Sequence, residues 1–254
     1  MDALALDSRF ILGVRTDATS YSAAAAQILA WAETPQSRYV CFSNVHVTME
    51  SYDSDEFRAI VNGADLVTPD GMPLVWALRL LGVVAATQVR AANLTVRVLQ
   101  RAAAELVPVG FYGSTPEVLA RLLEACRQHL PGLRVAYAHA PPFRQLTPAE
   151  DAAVVREISD SGARVLFVGL GCPKQERWMA SHKGRVNAVM LSVGVTFDFL
   201  AGARPEAPVW MQRSGFEWLF RLAMEPRRLW HRYAYHNPRF LGLLAAQYFK
   251  SLIA

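Results

Sequence analysis

No stretch of the 254-residue sequence approaches the roughly 20 consecutive apolar residues that a membrane-spanning helix needs. The closest, Leu241 to Ala254, is interrupted by Gln247, Lys250 and Ser251. The first ten residues carry Asp2, Asp7 and Arg9 and lack a continuous apolar run, so no secretory signal is expected there. Cysteine is scarce. Cys41, Cys126 and Cys172 are widely spaced with no CxxC pair, which argues against a disulfide framework and fits a reducing compartment. No GxSxG elbow accompanies the six histidines, so Ser-His-Asp catalysis has no support. Charged residues make up only 19% against 52% hydrophobic, which excludes a disordered chain. Neither an internal repeat nor a low-complexity segment is present.

What is there is an alternation of short β-type runs with helical stretches. Strands are expected at Phe10–Val14, Tyr39–Phe42, Leu66-Val67, Val107–Tyr112, Leu133–Tyr137, Val165–Val168 and Val189–Val193. Helices are expected at Tyr21–Trp31, as an amphipathic helix following the Tyr39–Phe42 strand and ending near Val61, and at Pro73–Leu81. Further helices fall after Pro116 through His129, at Thr147–Ile158 and at Pro173–Ser181. Aliphatic strands alternating with helices predict βαβ units and a mainly parallel sheet, an α/β, Rossmann-like fold. From Ala207 no β-type run remains. Trp210, Trp218, Trp230, Tyr233 and Tyr235 are interleaved with Arg213, Arg221, Arg227, Arg228, Arg232 and Arg239. The sequence therefore reads as a catalytic core over 1–204 and a helical, Arg/aromatic-rich appendage over 205–254, broken at Pro226 and Pro238.

Several strand ends carry candidate chemistry. Gly169-Leu170-Gly171-Cys172-Pro173-Lys174-Gln175-Glu176 follows an apolar strand and opens a helix, where glycines admit a ligand to the backbone and free N–H groups attract an anion. Lys174 stands where a dinucleotide fingerprint has its third glycine, which disfavours NAD. The spacing also fits a plain strand–helix turn. Asp70, before Gly71, follows a strand and is either a turn former or a general base. Asn44 follows another strand and is either a helix cap or a ligand contact. Asp53-Ser54-Asp55 has the DxD spacing of a metal site but precedes an acid-rich helix start, and no other His, Cys or Glu cluster has ligand spacing. No metal and no cofactor are expected. The basic aromatic tail suits a diphosphate or an anionic bilayer. Its scarcity of lysine and lack of a known motif argue against nucleic acid.

In order along the chain, the Gly169–Glu176 run, Phe197-Asp198-Phe199-Leu200-Ala201-Gly202, Ala207-Pro208, Glu217–Leu222 and Glu225-Pro226-Arg227-Arg228 resemble the WecG/TagA/CpsF glycosyltransferases, glycosyltransferase family 26. Asn44, Asp70-Gly71 and Phe111–Glu117 fall in the same order, and the resemblance spans about Phe10 to Phe240. It implies inverting, metal-free transfer of a sugar from a UDP-sugar to a polyprenyl-diphosphate-linked saccharide. The setting it implies is peripheral, at the cytoplasmic face of the inner membrane. Asp70 would be the base. Asn44, Gly113, Gly169, Gly171, Lys174, Gln175 and Asp198 would bind substrate, and Arg221, Arg227 and Arg228 would come from the appendage. Homo-oligomerisation is compatible with such a tail.

Two departures stand out. Many members carry Arg-Val-x-Gly-x-Asp-Leu where this chain has Gln88-Val89-Arg90-Ala91-Ala92-Asn93-Leu94, and Arg-Ala-Pro where it has Glu206-Ala207-Pro208. Arg90 or Arg204 is expected to compensate. The departures also motivate an alternative, a non-catalytic UDP-sugar or anionic-lipid binding protein on the same fold.

Overall fold

A computed structural model describes residues 7–253; residues 1–6, on which most of the expectation about a secretory signal falls, and Ala254 lie outside it. The chain opens with β1 (Ser8–Ile11) and β2 (Val14–Asp17), then α1 (Tyr21–Ala32), β3 (Arg38–Ser43), α2 (Val45–Asp53), α3 (Asp55–Asn62), β4 (Leu66–Pro69) and α4 (Met72–Leu80). It continues through α5 (Ala91–Ala104), β5 (Val109–Gly113), α6 (Pro116–His129), β6 (Val135–His139), α7 (Pro148–Ser161), β7 (Val165–Gly169), α8 (Lys174–His182) and β8 (Val189–Ser192). Four helices close it: α9 (Thr196–Leu200), α10 (Val209–Arg213), α11 (Glu217–Met224) and α12 (Pro226–Ile253).

The larger sheet has six strands in the order β4-β3-β8-β7-β5-β6. The β3–β8, β8–β7, β7–β5 and β5–β6 pairs are parallel. The expected α/β, Rossmann-like architecture is present. Val165, Leu166, Phe167 and Val168 of β7 are all fully buried, as a central parallel strand covered on both faces requires. Helix starts follow local chemistry. The Thr115 hydroxyl accepts from Val118 N ahead of Pro116, and Thr147 and Glu150 form a reciprocal capping box ahead of Pro148.

The chain divides into two compact units, with the boundary inside β3. One unit comprises Tyr21–Cys41 and Ala91–Pro205. Its core includes Phe111 stacked on Phe167 at 5.5 Å, with Phe197 set edge-on to Phe111. The other unit is built from three separated pieces: the segment ending at Ser20, Phe42–Arg90, and the segment from Glu206 onward. Its core joins Ile11 and Leu12, Met49 of α2, Leu74, Val75 and Leu78 of α4, and Phe240 and Leu244 of α12.

Four local expectations change. The single strand expected at Phe10–Val14 is an antiparallel hairpin, turned at Leu12 (φ 50) and Gly13 (φ 85). The helix expected to run to Val61 is two helices, because Ser54 leaves helical geometry and its hydroxyl caps Phe57 N. A helix not expected at all, α5, buries Leu94, Val98, Leu99 and Ala102 on one face. The chain does break at Pro226, but α12 runs through Pro238 unbroken. Pro238 gives no N–H to the Ala234 carbonyl, yet His236 before it and Phe240 after it are both buried, so packing on either side carries the helix across.

Candidate functional site

In the unit that holds α4, the end of β4 places Asp70 before the Gly71 cap of α4. Three hydrogen bonds fix this corner. Asp70 N donates to Ser43 O at 2.8 Å, Val89 N donates to Pro69 O at 2.9 Å, and Gln88 Nε2 donates to Asp70 O at 2.8 Å. Asn44 is the helix cap that one of its two readings expected, and it also reaches Asp70. Its Oδ1 accepts from Val47 N and caps α2, while its Nδ2 donates to Asp70 Oδ2 at 3.1 Å. A backbone requirement thus orients the amide whose other end holds the carboxylate. The corner leaves Asp70 half-buried, accessible to a hydroxyl from solvent yet positioned by four elements.

The same unit holds a charge cluster that includes Glu206, one of the departures from the family pattern. Arg90 is 4% exposed. Its Nε and Nη2 donate to the two oxygens of Glu217 at 3.1 Å each, and its Nη1 donates to Gln212 Oε1 at 2.8 Å. Glu206 Oε2 lies at 3.4 Å from both terminal nitrogens. Burial pulls the Arg90 pKa down, but the carboxylates of Glu217, Asp70 and Glu206 outweigh it and hold the pKa above its ordinary value. Of the two arginines expected to compensate, Arg90 pairs with Glu217 and, at longer range, with Glu206. The other candidate, Arg204, pairs with Asp198 at 3.1 Å, in the second unit.

The arginine-rich segment adds a cationic surround. Arg221, half-buried on α11, and Arg232 on α12 bear on His46, whose pKa falls to about 3 because of burial first and then Arg232, His236 and Arg221. Arg227 and Arg228 are exposed on the first turn of α12, with Arg228 paired to Glu225 at 2.6 and 2.8 Å. Burial raises the Tyr233 pKa against the pull of Arg221 and Arg232. Asp53 of the DxD spacing is bound bidentately by Arg239 at 2.7 and 2.9 Å, which uses its carboxylate for helix pairing.

The glycine-rich loop lies in the other unit, after β7. A Cβ on Gly113 would fall 2.5 Å from Gly169 C and O, and one on Gly169 would fall 2.7 Å from the Phe197 ring. These two glycines are thus demanded by strand-end packing. Gly171 (φ +80) has open space where a side chain would point. Gly171 N donates to Gln175 Oε1 at 3.1 Å, and Gln175 Nε2 donates to the buried Glu176 at 2.8 Å. Burial raises the Glu176 pKa. Lys174 begins α8 and is exposed.

One grouping escaped the spacing argument. His46 and Glu50, one turn apart on α2, meet His236 of α12, with candidate ligand atoms all within 4.8 Å of one another. The i,i+4 pair was readable; its third member lies most of the chain away.

A strand-end carboxylate held by an amide, with the Arg90 charge bearing on it, suits transfer chemistry on hydroxyl-bearing substrates. The family model described as Glycosyl transferase WecG/TagA/CpsF family matches residues 9–253, and the chain belongs to this family of glycosyltransferases. It is 27% identical over 197 residues to the N-acetylglucosaminyldiphosphoundecaprenol N-acetyl-beta-D-mannosaminyltransferase of Bacillus spizizenii, covering 76% of this chain and 74% of that protein. Among the described residues no helix is long and apolar enough to cross a membrane.

Proposed function

We propose that this glycosyltransferase moves a hexosyl or N-acetylhexosaminyl group from a UDP-sugar to a polyprenyl-diphosphate-linked saccharide. The observation that carries the mechanism is the Asn44–Asp70 contact at 3.1 Å. Asp70 is the general base. It takes the proton of the acceptor hydroxyl, the oxygen attacks the anomeric carbon from the face opposite the leaving group, and UDP departs with the bonding pair, so the configuration inverts. Asn44 keeps the carboxylate aimed, and Gln88 and Ser43 keep its backbone in place. Arg221, Arg227 and Arg228 stabilise diphosphate charge, which lets the reaction proceed without a metal ion. Gly171, Lys174 and Gln175 contact the donor at the start of α8, where free backbone N–H groups favour an anion.

The segment 205–254 is proposed to lie on the anionic, cytoplasmic face of the inner membrane. Trp210 and Trp230 are 64% and 58% exposed, and Leu241, Phe249 and Leu252 are exposed with them, a composition suited to a headgroup interface. The Bacillus relative, named for a lipid-diphosphate acceptor, supports this acceptor class.

Asp70→Asn tests the base. It keeps the shape and the Asn44 contact, so UDP binding by calorimetry stays near wild type while turnover falls by about 10²–10⁴-fold. Wild-type turnover by that variant would overturn the assignment.

A further inference from the structure

Two helices of one unit bring three ligating side chains around a point the proposed transfer does not use. Glu50 Oε1 is 3.6 Å from His46 Nδ1 and 3.6 Å from His236 Nε2. Both separations exceed the 2.7–3.2 Å range usual for such hydrogen bonds. They approach the edge of about 3.4 Å expected between two ligands on one tetrahedral metal with bonds of about 2.0–2.2 Å. His46 Nδ1 is buried without a hydrogen-bond partner. His236 is only 9% exposed, and its Nδ1 is likewise buried without a partner. A half-buried and a buried imidazole both face one carboxylate oxygen beyond hydrogen-bond distance, and each carries a buried Nδ1 without a hydrogen-bond partner, which makes the three side chains an unfilled coordination set.

We propose that His46, Glu50 and His236 form a binding site for a borderline divalent cation of the Zn²⁺ type, joining α2 to α12. The ligand set is two nitrogens and one carboxylate oxygen, which leaves a fourth position open. Arg221 and Arg232 oppose a bare cation, so the fourth position takes an anion, a hydroxide or a phosphate oxygen, which those arginines attract. With its second nitrogen unbonded, His236 lacks the outer hydrogen bond that strengthens most metal-bound histidines, which makes this a moderate rather than a very tight site.

The site is a clasp. His46 and Glu50 ride on the helix that Asn44 caps, and His236 rides on the helix that buries Phe240 and Leu244 in the same core. The inference goes beyond the transfer reaction, which runs without the ion.

The test uses the full chain, stripped with a chelator and dialysed into metal-free buffer. Equilibrium dialysis with ZnCl₂ should give one ion per chain, and melting should rise by at least about 3 °C at saturation. Co²⁺ in its place should give the intense visible absorption of a four-coordinate ion. Glu50→Gln and His236→Gln, each checked for folding by circular dichroism, should lose the stoichiometric ion and the cobalt spectrum, whereas Asp70→Asn should keep both. Absence of one-to-one binding in the wild type, or binding unchanged in both ligand variants, would overturn the site. Turnover of the stripped enzyme separates the two proposals: if it vanishes while the ion still binds at these residues, the metal-free transfer is wrong and the clasp stands.

Discussion

Arg90→Met removes the one cation in the Glu206–Gln212–Glu217 cluster while keeping an apolar stem of similar reach. Breaking a fully buried ion pair by deleting one partner costs about 3–5 kcal/mol. Here Arg90 is 4% exposed, but the side chains of Glu217 and Glu206 are 26% and 39% exposed and recover water when the guanidinium leaves. That discount brings the cost to about 2–3 kcal/mol. At about 2–4 °C per kcal/mol for a chain of this size, melting followed by circular dichroism should fall by about 4–12 °C. Glu217→Gln should be costly in the wild type and much less so in the Arg90→Met background, because its partner is already gone. Arg90→Lys should recover only part of the loss, since an ammonium lacks the fork that spans both Glu217 oxygens. The neighbouring Val89 and Gln88 hold Pro69 and Asp70, so kcat should fall along with stability. A shift below about 2 °C with Glu217→Gln equally costly in both backgrounds would refute the account of Arg90 as the hub of the cluster.

The glycines separate packing from freedom. Gly113→Ala should destabilise by about 3 kcal/mol or more because its Cβ meets fixed backbone at 2.5 Å, whereas Gly162→Ala (φ +72, open space) should cost only about 1 kcal/mol; urea unfolding compares them. Glu176 has a folded pKa above its unfolded one, so its contribution is fully present below about pH 4.5 and is lost as pH rises through the folded value. Glu176→Gln keeps the acceptor for Gln175 and removes that loss, so its melting temperature relative to wild type should climb from pH 4.5 to pH 8, and a flat difference would contradict the burial argument. Trp210→Ser with Trp230→Ser should weaken co-sedimentation with anionic vesicles at little change in melting, because both rings are mostly exposed; undiminished binding would remove them from the interface.

The α/β alternation was legible because aliphatic runs at Val107–Tyr112, Val165–Val168 and Val189–Val193 admit few other readings. What the pattern missed depended on long-range packing. Helix α5 is the exception, because Leu94, Val98, Leu99 and Ala102 recur at helical spacing and its buried face was readable. Pro238 reads as a break until Phe240 and Leu244 are seen to be buried. Asn44 and Asp70 were each readable as ordinary turn residues. Their significance lies in the hydrogen bond between them, across a separation in sequence that no spacing rule spans. Arg90 and Glu206 illustrate the same point: they are far apart in the sequence, and only the fold shows that they touch.

The unit that carries Asp70 is assembled from three separated pieces, and its core takes Phe240 and Leu244 from the last helix. During synthesis the unit ending at Pro205 has all of its sequence before the segment from Glu206 onward leaves the ribosome. The proposed base waits for α12. A product terminated before α12 lacks both the helix that completes the Asp70 core and the aromatic surface proposed to meet the membrane, so the proposed base and the proposed membrane contact become available together.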